Sequence, residues 1–257
     1  MNFTVHALDV TDSTQSEAQR LAAAGAPEGT VVTARHQRAG RGRRGHDWWD
    51  APGESLLASV LLRPAGPVTA APQLSLVGGL AVADALAAVA SVPARIRWPN
   101  DLLVDGRKVC GILAEAASDS VGDGAGAGAG RLHHVILGIG VNLAQTAFPE
   151  ALADRATSLR LVTGRALGAD AVLAAVLEQL ARHYDAWRAG GFAALRGAWL
   201  ERSTLPGQVV RLPDGSDGVG VDVGDDGILV ARATDGRLVQ IVSGGTVEEG
   251  MAHAARH

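Results

Sequence analysis

The sequence predicts an α+β fold built on a mixed or antiparallel sheet, with a small all-β unit at its C-terminal end. Three observations carry this. Hairpin-length links dominate the middle of the chain, which suits antiparallel pairing rather than βαβ crossovers. No strand–GxGxxG–helix unit occurs, which disfavours a dinucleotide fold, and no GxxxxGK[ST] occurs, so this is not a P-loop protein. After Pro206 the chain turns into four short Val-rich runs separated by PDGSDG, GDDG and TDG, all turn sequences. At 257 residues, 47% of them hydrophobic, the chain is long enough for one large unit or a medium and a small one. Cys110 is the only cysteine, which excludes a disulfide framework or a cysteine zinc site. The start MNFTVHALDVTD lacks the basic and apolar regions of a signal peptide, and no apolar run is long enough to span a bilayer. The expectation is a soluble cytoplasmic protein.

The elements follow in order. Asp12-Ser13-Thr14 ahead of QSEAQRLAAAG is an N-cap cluster and a short helix, stopped at Gly25. Thr30 to His36 alternates and is Val-rich, a strand. Glu54 to Arg63 is a second strand, ended by Pro64, and Gln73 to Ala90 is a long Ala/Leu/Val helix with one broad buried face. Arg95 to Trp98 is a short strand before a Pro-Asn-Asp turn at 99–101. Lys108 to Ala116 and Leu132 to Leu143 are adjacent core strands, and GDGAGAGAG at 122–130 between them is a flexible low-complexity link. Helices run from about Asp170 to Ala189 and from Phe192 to Arg202. The runs Gln208–Leu212, Val219–Val223, Ile228–Ala233 and Leu238–Val242 make a small β-barrel. The expected division is 1–203 and 204–257.

Two features point to chemistry. The first is HQRAGRGRRGHDWW, residues 36–49, in a chain of net charge -4. Gly40, Gly42 and Gly45 let the backbone approach an anion, while Arg41, Arg43 and Arg44 offer forked donors to phosphate oxygens. A nucleic-acid surface wants basic residues spread over a face and a positive balance, so this local patch suits a compact nucleotide phosphate better. Like charges and glycine leave such a loop mobile when empty. Trp48 and Trp49 behind it either stack on a base or pack the loop root. The second feature is Lys108, the only lysine among 23 basic residues. It stands at the mouth of an apolar strand, where a compact ammonium can neutralise a carboxylate and a phosphate brought together. Strict alternation places 108, 110 and 112 on one face and 109, 111 and 113 on the other, with Gly111 leaving room for a flat ligand. GIGVN, 138–142, sets glycines in a core strand as a second piece of floor, with Asn142 facing the opening. Asp101 either binds Mg²⁺ or caps its turn.

In order and spacing, DSTQSEA, HQRAGRGRRGHDW, RWPNDLLVDGRKVCGILAE and GIGVNL resemble the biotin protein ligases over nearly the whole chain. The resemblance implies a catalytic core related to class II aminoacyl-tRNA synthetases plus an SH3-like C-terminal β-barrel. It implies that biotin and MgATP give biotinyl-5′-AMP and pyrophosphate, after which biotin passes to a lysine of a biotin carboxyl carrier domain. By match, Ser13, Thr14, Gln15, Gln37 and Gly111 contact biotin, Arg41, Gly42 and Arg43 hold the adenylate, Asn100 lies near the nucleotide, and Lys108 contacts both the biotin carboxylate and the α-phosphate. The residues themselves add Arg44, Trp48 and Asn142 to the ATP or adenylate set, with Arg43 and Lys108 acting on the reacting groups. Asp101 lies near the metal. Three positions depart from the family pattern: Gln15 for Asn, His46 for the last loop Arg, and Arg97 for Lys. The DST motif begins at residue 12, so neither a preceding helix-turn-helix domain nor DNA binding is expected; a membrane partner is not expected either. Homodimers occur in this family. The rival expectations are a lipoate or octanoate ligase or transferase of the same fold, a nucleic-acid-binding module using the Arg/Gly loop, and a binding protein without turnover.

Overall fold

A computed structural model describes residues 1–118 and 130–242. A seven-stranded sheet has the order β1-β2-β3-β7-β6-β5-β4. Its strands are β1 Thr4–Thr11, β2 Thr30–Gln37, β3 Ser55–Leu62, β4 Arg95–Arg97, β5 Asp101–Val104, β6 Arg107–Ser118 and β7 Leu132–Asn142. Only β1 and β2 run parallel; every other pair is antiparallel. Two strands go beyond the sequence expectation. β1 is an edge strand exposed on both faces, so it lacks the alternation that announces a half-buried strand. β5 is four residues long and hidden between two turn signals. The low-complexity link at 122–130 falls almost wholly outside the described residues.

The two sheet faces are covered differently because alternate residues of each strand take opposite sides. Val32, Leu61 and Ile136 pack against Ala18 and Ala22 of α1, Thr14–Ala23, in a small separate cluster. Val31, Val60 and Leu137 belong to the large core with α2, Ala71–Ala90, on which α5, Ala169–Gly190, lies in turn. The segment carrying α2 has a mean hydropathy of 1.7 in its most apolar window and the length to cross a bilayer, yet it lies inside this core. Two short helices that the sequence did not announce, α3 Glu150–Ala153 and α4 Leu159–Thr163, follow β7. The second C-terminal helix begins with a 3₁₀ turn, Phe192–Ala194, before α6, Arg196–Arg202.

The four C-terminal runs are strands β8 Val209–Arg211, β9 Asp217–Val223, β10 Leu229–Ala233 and β11 Leu238–Ile241. They form an antiparallel meander, and among the described residues no pairing joins β8 to β11 to close a barrel. This sheet is keyed to the rest at Trp98, which is almost wholly buried. Gln208 accepts from Trp98 N at 3.0 Å and donates to Trp98 O at 2.7 Å, while the indole donates to Gly227 O. The large core runs without a break from α2 into Val210, Leu229 and Ile241.

Candidate functional site

One cavity lies on the α1 side of the sheet, beside the N-terminus of that helix. About 490 Å³ of space free of protein atoms, open solvent at its mouth included, lies within it. Its inner end is polar and uncharged. Ser13, Thr14, Gln15, Gln37 and Ser59 line it, and none is more than 9% exposed. Thr14 donates through both N and Oγ1 to Gln37 Oε1, at 2.8 and 3.0 Å. Gln15 Nε2 donates to Ile136 O, which turns its oxygen to accept from Ser59 Oγ at 3.0 Å. Gln15 thus lies directly over Gly138, where an added Cβ would meet its Oε1 at 2.6 Å. Ser13 is the N-cap residue, yet its Oγ makes no cap bond and is buried without a partner. Ser59 and the apolar lining residues Leu57, Leu113 and Ile139 were missed from the sequence. Leu57 and Ser59 belong to β3, which is buried throughout, and Leu113 and Ile139 sit in largely apolar runs, so none stands out from its neighbours in the sequence.

The outer end is cationic: Arg41, Arg43 and Lys108 line the same cavity, with Gly42 and Asn100 beside them. Lys108 reaches it through a departure from strand alternation. The β5–β6 register runs Asp101↔Gly111 and Leu102↔Cys110, then jumps to Leu103↔Lys108. This bulge at Val109 buries Val109 and Cys110 completely and turns Lys108 onto the Gly111 side. A Cβ at Gly111 would meet Lys108 Nζ at 3.2 Å, so the strict two-face assignment of 108 and 111 is corrected. The chain at 155–157 holds the bulge in place: Lys108 N donates to Arg155 O and Thr157 N to Lys108 O. Buried Cys110 takes no part in the chemistry; desolvation pushes its thiol far up.

Asp101 is an ion-pair partner rather than a turn cap. It is the first residue of β5, and its carboxylate meets Lys108 Nζ at 2.7 Å and Arg97 Nη2 at 2.8 Å. Burial alone would raise its pKa, but the charges of Lys108 and Arg97, with their hydrogen bonds, hold it below the usual carboxylate value. Lys108 and Arg97 already hold this carboxylate, and no cluster of three His, Cys, Asp or Glu side chains occurs among the described residues, so a resident all-protein Mg²⁺ cage is not formed here and any Mg²⁺ would be held chiefly by the ATP phosphates.

The Arg/Gly loop, expected as a mobile coil, is a tight hairpin. Arg41 bridges Asp47, Gly42 N donates to His46 O, Trp48 N donates to Gly40 O, and Arg44 and Gly45 take left-handed conformations at the tip. At its root His36 Nδ1 lies 2.9 Å from Asp50 Oδ2. Arg43 Nη1 donates to Asn100 Oδ1 at 3.2 Å. Burial and then the neighbouring Arg44 charge lower the Arg43 pKa, with Asp101 pulling it back up; an anion in the cavity would relieve that burden. Arg44 itself is exposed and does not line the cavity.

Trp48 corrects the picture of an open floor. Its ring covers the glycines: a Cβ at Gly140 would meet the indole at 2.7 Å and one at Gly111 at 2.9 Å. Lys108 Nζ stands 5.6 Å from the ring centroid, within cation–π reach, and the buried indole Nε1 has no partner. Trp49 instead tilts against Phe148. Asn142 does not face the opening. It is buried past the glycines, and its Nδ2 donates to Thr157 O at 3.0 Å.

The biotin/lipoate A/B protein ligase family model matches residues 7–142. A biotin–[acetyl-CoA-carboxylase] ligase of Paracoccus denitrificans is 39% identical over 237 residues, 89% of this chain and 94% of that protein. A bifunctional ligase/repressor of Bacillus subtilis is 34% identical over 233 residues, 89% of this chain and 69% of that one. A biotin protein ligase from Aquifex aeolicus, solved with biotin and ATP, superposes with a TM-score of 0.76 at 29% identity, covering 94% of this chain and 96% of that one.

Proposed function

The chain belongs to the biotin/lipoate A/B protein ligase family, and we propose that the cavity beside α1 is where it activates biotin. It is an ATP-dependent biotin ligase: biotin and ATP give biotinyl-5′-AMP and pyrophosphate, and the biotinyl group then passes to a lysine of a carboxylase carrier. Mg²⁺ enters with ATP as part of the substrate.

The observation that carries the site assignment is the division of one cavity into an uncharged polar end and a cationic end. The buried amides and hydroxyls of Thr14, Gln15, Gln37 and Ser59, with the unpartnered Ser13 Oγ, suit a neutral polar head such as the cyclic urea of biotin. Lys108 and Arg43 suit the carboxylate and the phosphate. In the first step a carboxylate oxygen attacks the α-phosphorus and the bond to pyrophosphate breaks. The two reactants repel each other, and fixed cations remove that repulsion most effectively where water is excluded. In the second step the neutral amine of the acceptor attacks the acyl carbon and AMP leaves. Trp48 and the hairpin shield the mixed anhydride from hydrolysis in the interval. We also read the core as related to class II aminoacyl-tRNA synthetases and the C-terminal meander as SH3-like. The boundary at 203/204 is supported by strands β8 to β11 pairing only with one another.

Two of the loop arginines contact protein groups, Arg41 at Glu115 and Arg43 at Asn100, which leaves the loop less free for a nucleic-acid surface. Measurement of ATP–pyrophosphate exchange with biotin and with lipoate tests the proposal. Exchange is expected with biotin, and exchange with lipoate alone overturns it.

A further inference from the structure

We propose that Glu115 is a positioning residue, the latch that docks the Arg/Gly hairpin over the cavity. The inference rests on the ligase reading above. On β6 the residues after the bulge alternate, so 111, 113 and 115 share the cavity side, paired across β7 with Gly140, Gly138 and Ile136. Gly111 and Leu113 line the cavity, and Glu115 stands next along its rim. Its Oε2 accepts from Arg41 Nη2 at 3.0 Å. The hairpin is therefore fastened to the sheet at three separated points. Trp48 sits on Gly111 and Gly140, Arg43 reaches Asn100 where β5 begins, and Arg41 reaches Glu115 farther along β6.

The three points differ in kind. The Trp48 seat is a close packing contact, half-buried on both sides, and Asn100 is fixed by its own bonds, Nδ2 donating to Ile112 O and O accepting from Ile112 N. The Glu115 contact is the only one of the three that is an ion pair, and it is partly exposed on both sides, 43% for Arg41 and 32% for Glu115. Such a pair is weak and screened by salt, so it can open and close without unfolding anything. It also fixes where the Arg41 guanidinium lies while the cavity holds no phosphate. Glu115 keeps this arginine at the rim, and leaves the inner charges to Lys108 and Arg43. A hairpin latched in this way retains an adenylate and still opens for the acceptor lysine.

The test is the release of preformed, radiolabelled biotinyl-AMP from full-length protein, chased with unlabelled intermediate, in Glu115→Gln, Arg41→Ala and the double variant. Release is expected to quicken three- to tenfold in each single variant, with no further increase in the double one, and Glu115→Asp is expected to recover part of the retention. The wild-type rate should rise with ionic strength toward the Glu115→Gln rate, while the variant's own rate stays flat. Melting temperatures are expected to match that of the wild type. Wild-type retention in Glu115→Gln, or additive effects in the double variant, overturns the latch. If the wild type forms no biotinyl-AMP from biotin and ATP, the ligase reading itself fails, which is a separate outcome seen before any variant is made.

Discussion

The cavity wall that carries Lys108 and the hairpin that faces it are held by opposite means. The wall is fixed by long-range pairing. Lys108 sits in a bulge gripped by β5 on one side and by residues 155–157 on the other, with Asp101 and Arg97 completing a largely buried charge cluster. The hairpin is fixed mostly by its own short-range bonds and meets the sheet through the side chains of Trp48, Arg41 and Arg43. The difference separates two tasks. Charge placement for the chemical step demands a wall that does not move, whereas exchange of substrates and the acceptor demands a cover that does.

Breaking the wall is expected to have the largest effect. Replacing Lys108 by Ala removes the ammonium and leaves Asp101 to Arg97 alone. A loss of about 10²–10³-fold in ATP–pyrophosphate exchange is expected, the magnitude seen when one preorganised charge-stabilising group is deleted. The stability cost should stay below the roughly 3–5 kcal/mol of a fully stranded buried charge, because Arg97 remains. Lys108→Arg keeps the charge but brings a planar fork into a bulge shaped for a single nitrogen, so its exchange should be poor as well. Wild-type exchange in both variants removes Lys108 from the reaction and the contrast with it.

How much of this contrast is legible in the sequence follows the same division. The hairpin announces itself, because arginines and glycines packed into six residues suit an anion and little else, although its ordered turn at Arg44-Gly45 does not show. Lys108 stands out as a solitary lysine, but its direction does not: the bulge depends on register against β5, which a strand period cannot reveal. Asp101 reads as a turn or metal residue because its two cationic partners, one four residues before it and one seven after, converge only once β4, β5 and β6 pair. Trp48 looks like a base-stacking ring. Its seat exists only because Gly111 of β6 and Gly140 of β7 lie opposite each other, a long-range match between two motifs each legible alone. The expected barrel rests on turn spacing, which fixes hairpins but not closure.

The seat of Trp48 is where wall and hairpin meet, so a change there should sharpen the comparison. In Gly140→Ala the new methyl would stand 2.7 Å from the indole, so the ring that caps the glycines must shift. Overpacking of this kind costs about 1–3 kcal/mol, and here the cost should appear in the hairpin rather than the sheet. We expect the KM for biotin in the exchange assay to rise about tenfold, since 1.4 kcal/mol corresponds to a factor of ten, with little change in melting temperature. Adding Trp48→Ala on the Gly140→Ala background relieves the clash, so the two changes should be non-additive. Additive effects would mean that the ring does not rest on Gly140 in solution.

The smallest expected effect lies in the hairpin alone. Arg43→Ala deletes one fastening, the contact with Asn100, and one of the cations at the outer end of the cavity. Lys108 and its bulge are untouched, because nothing in the β5–β6 register depends on Arg43. Adenylate formation should therefore suffer less than adenylate retention. Burial and the adjacent Arg44 charge weigh against the charged form of Arg43, offset in part by Asp101. Stability without ligand should accordingly hold or rise slightly, while the protection given by biotin and ATP shrinks. Labelled biotinyl-AMP should leave the variant several-fold faster, and free intermediate should accumulate in solution during turnover. Were formation to collapse as it does in Lys108→Ala while retention stayed intact, Arg43 would belong with the wall, and the division of labour between a rigid charge and a movable cover would be wrong.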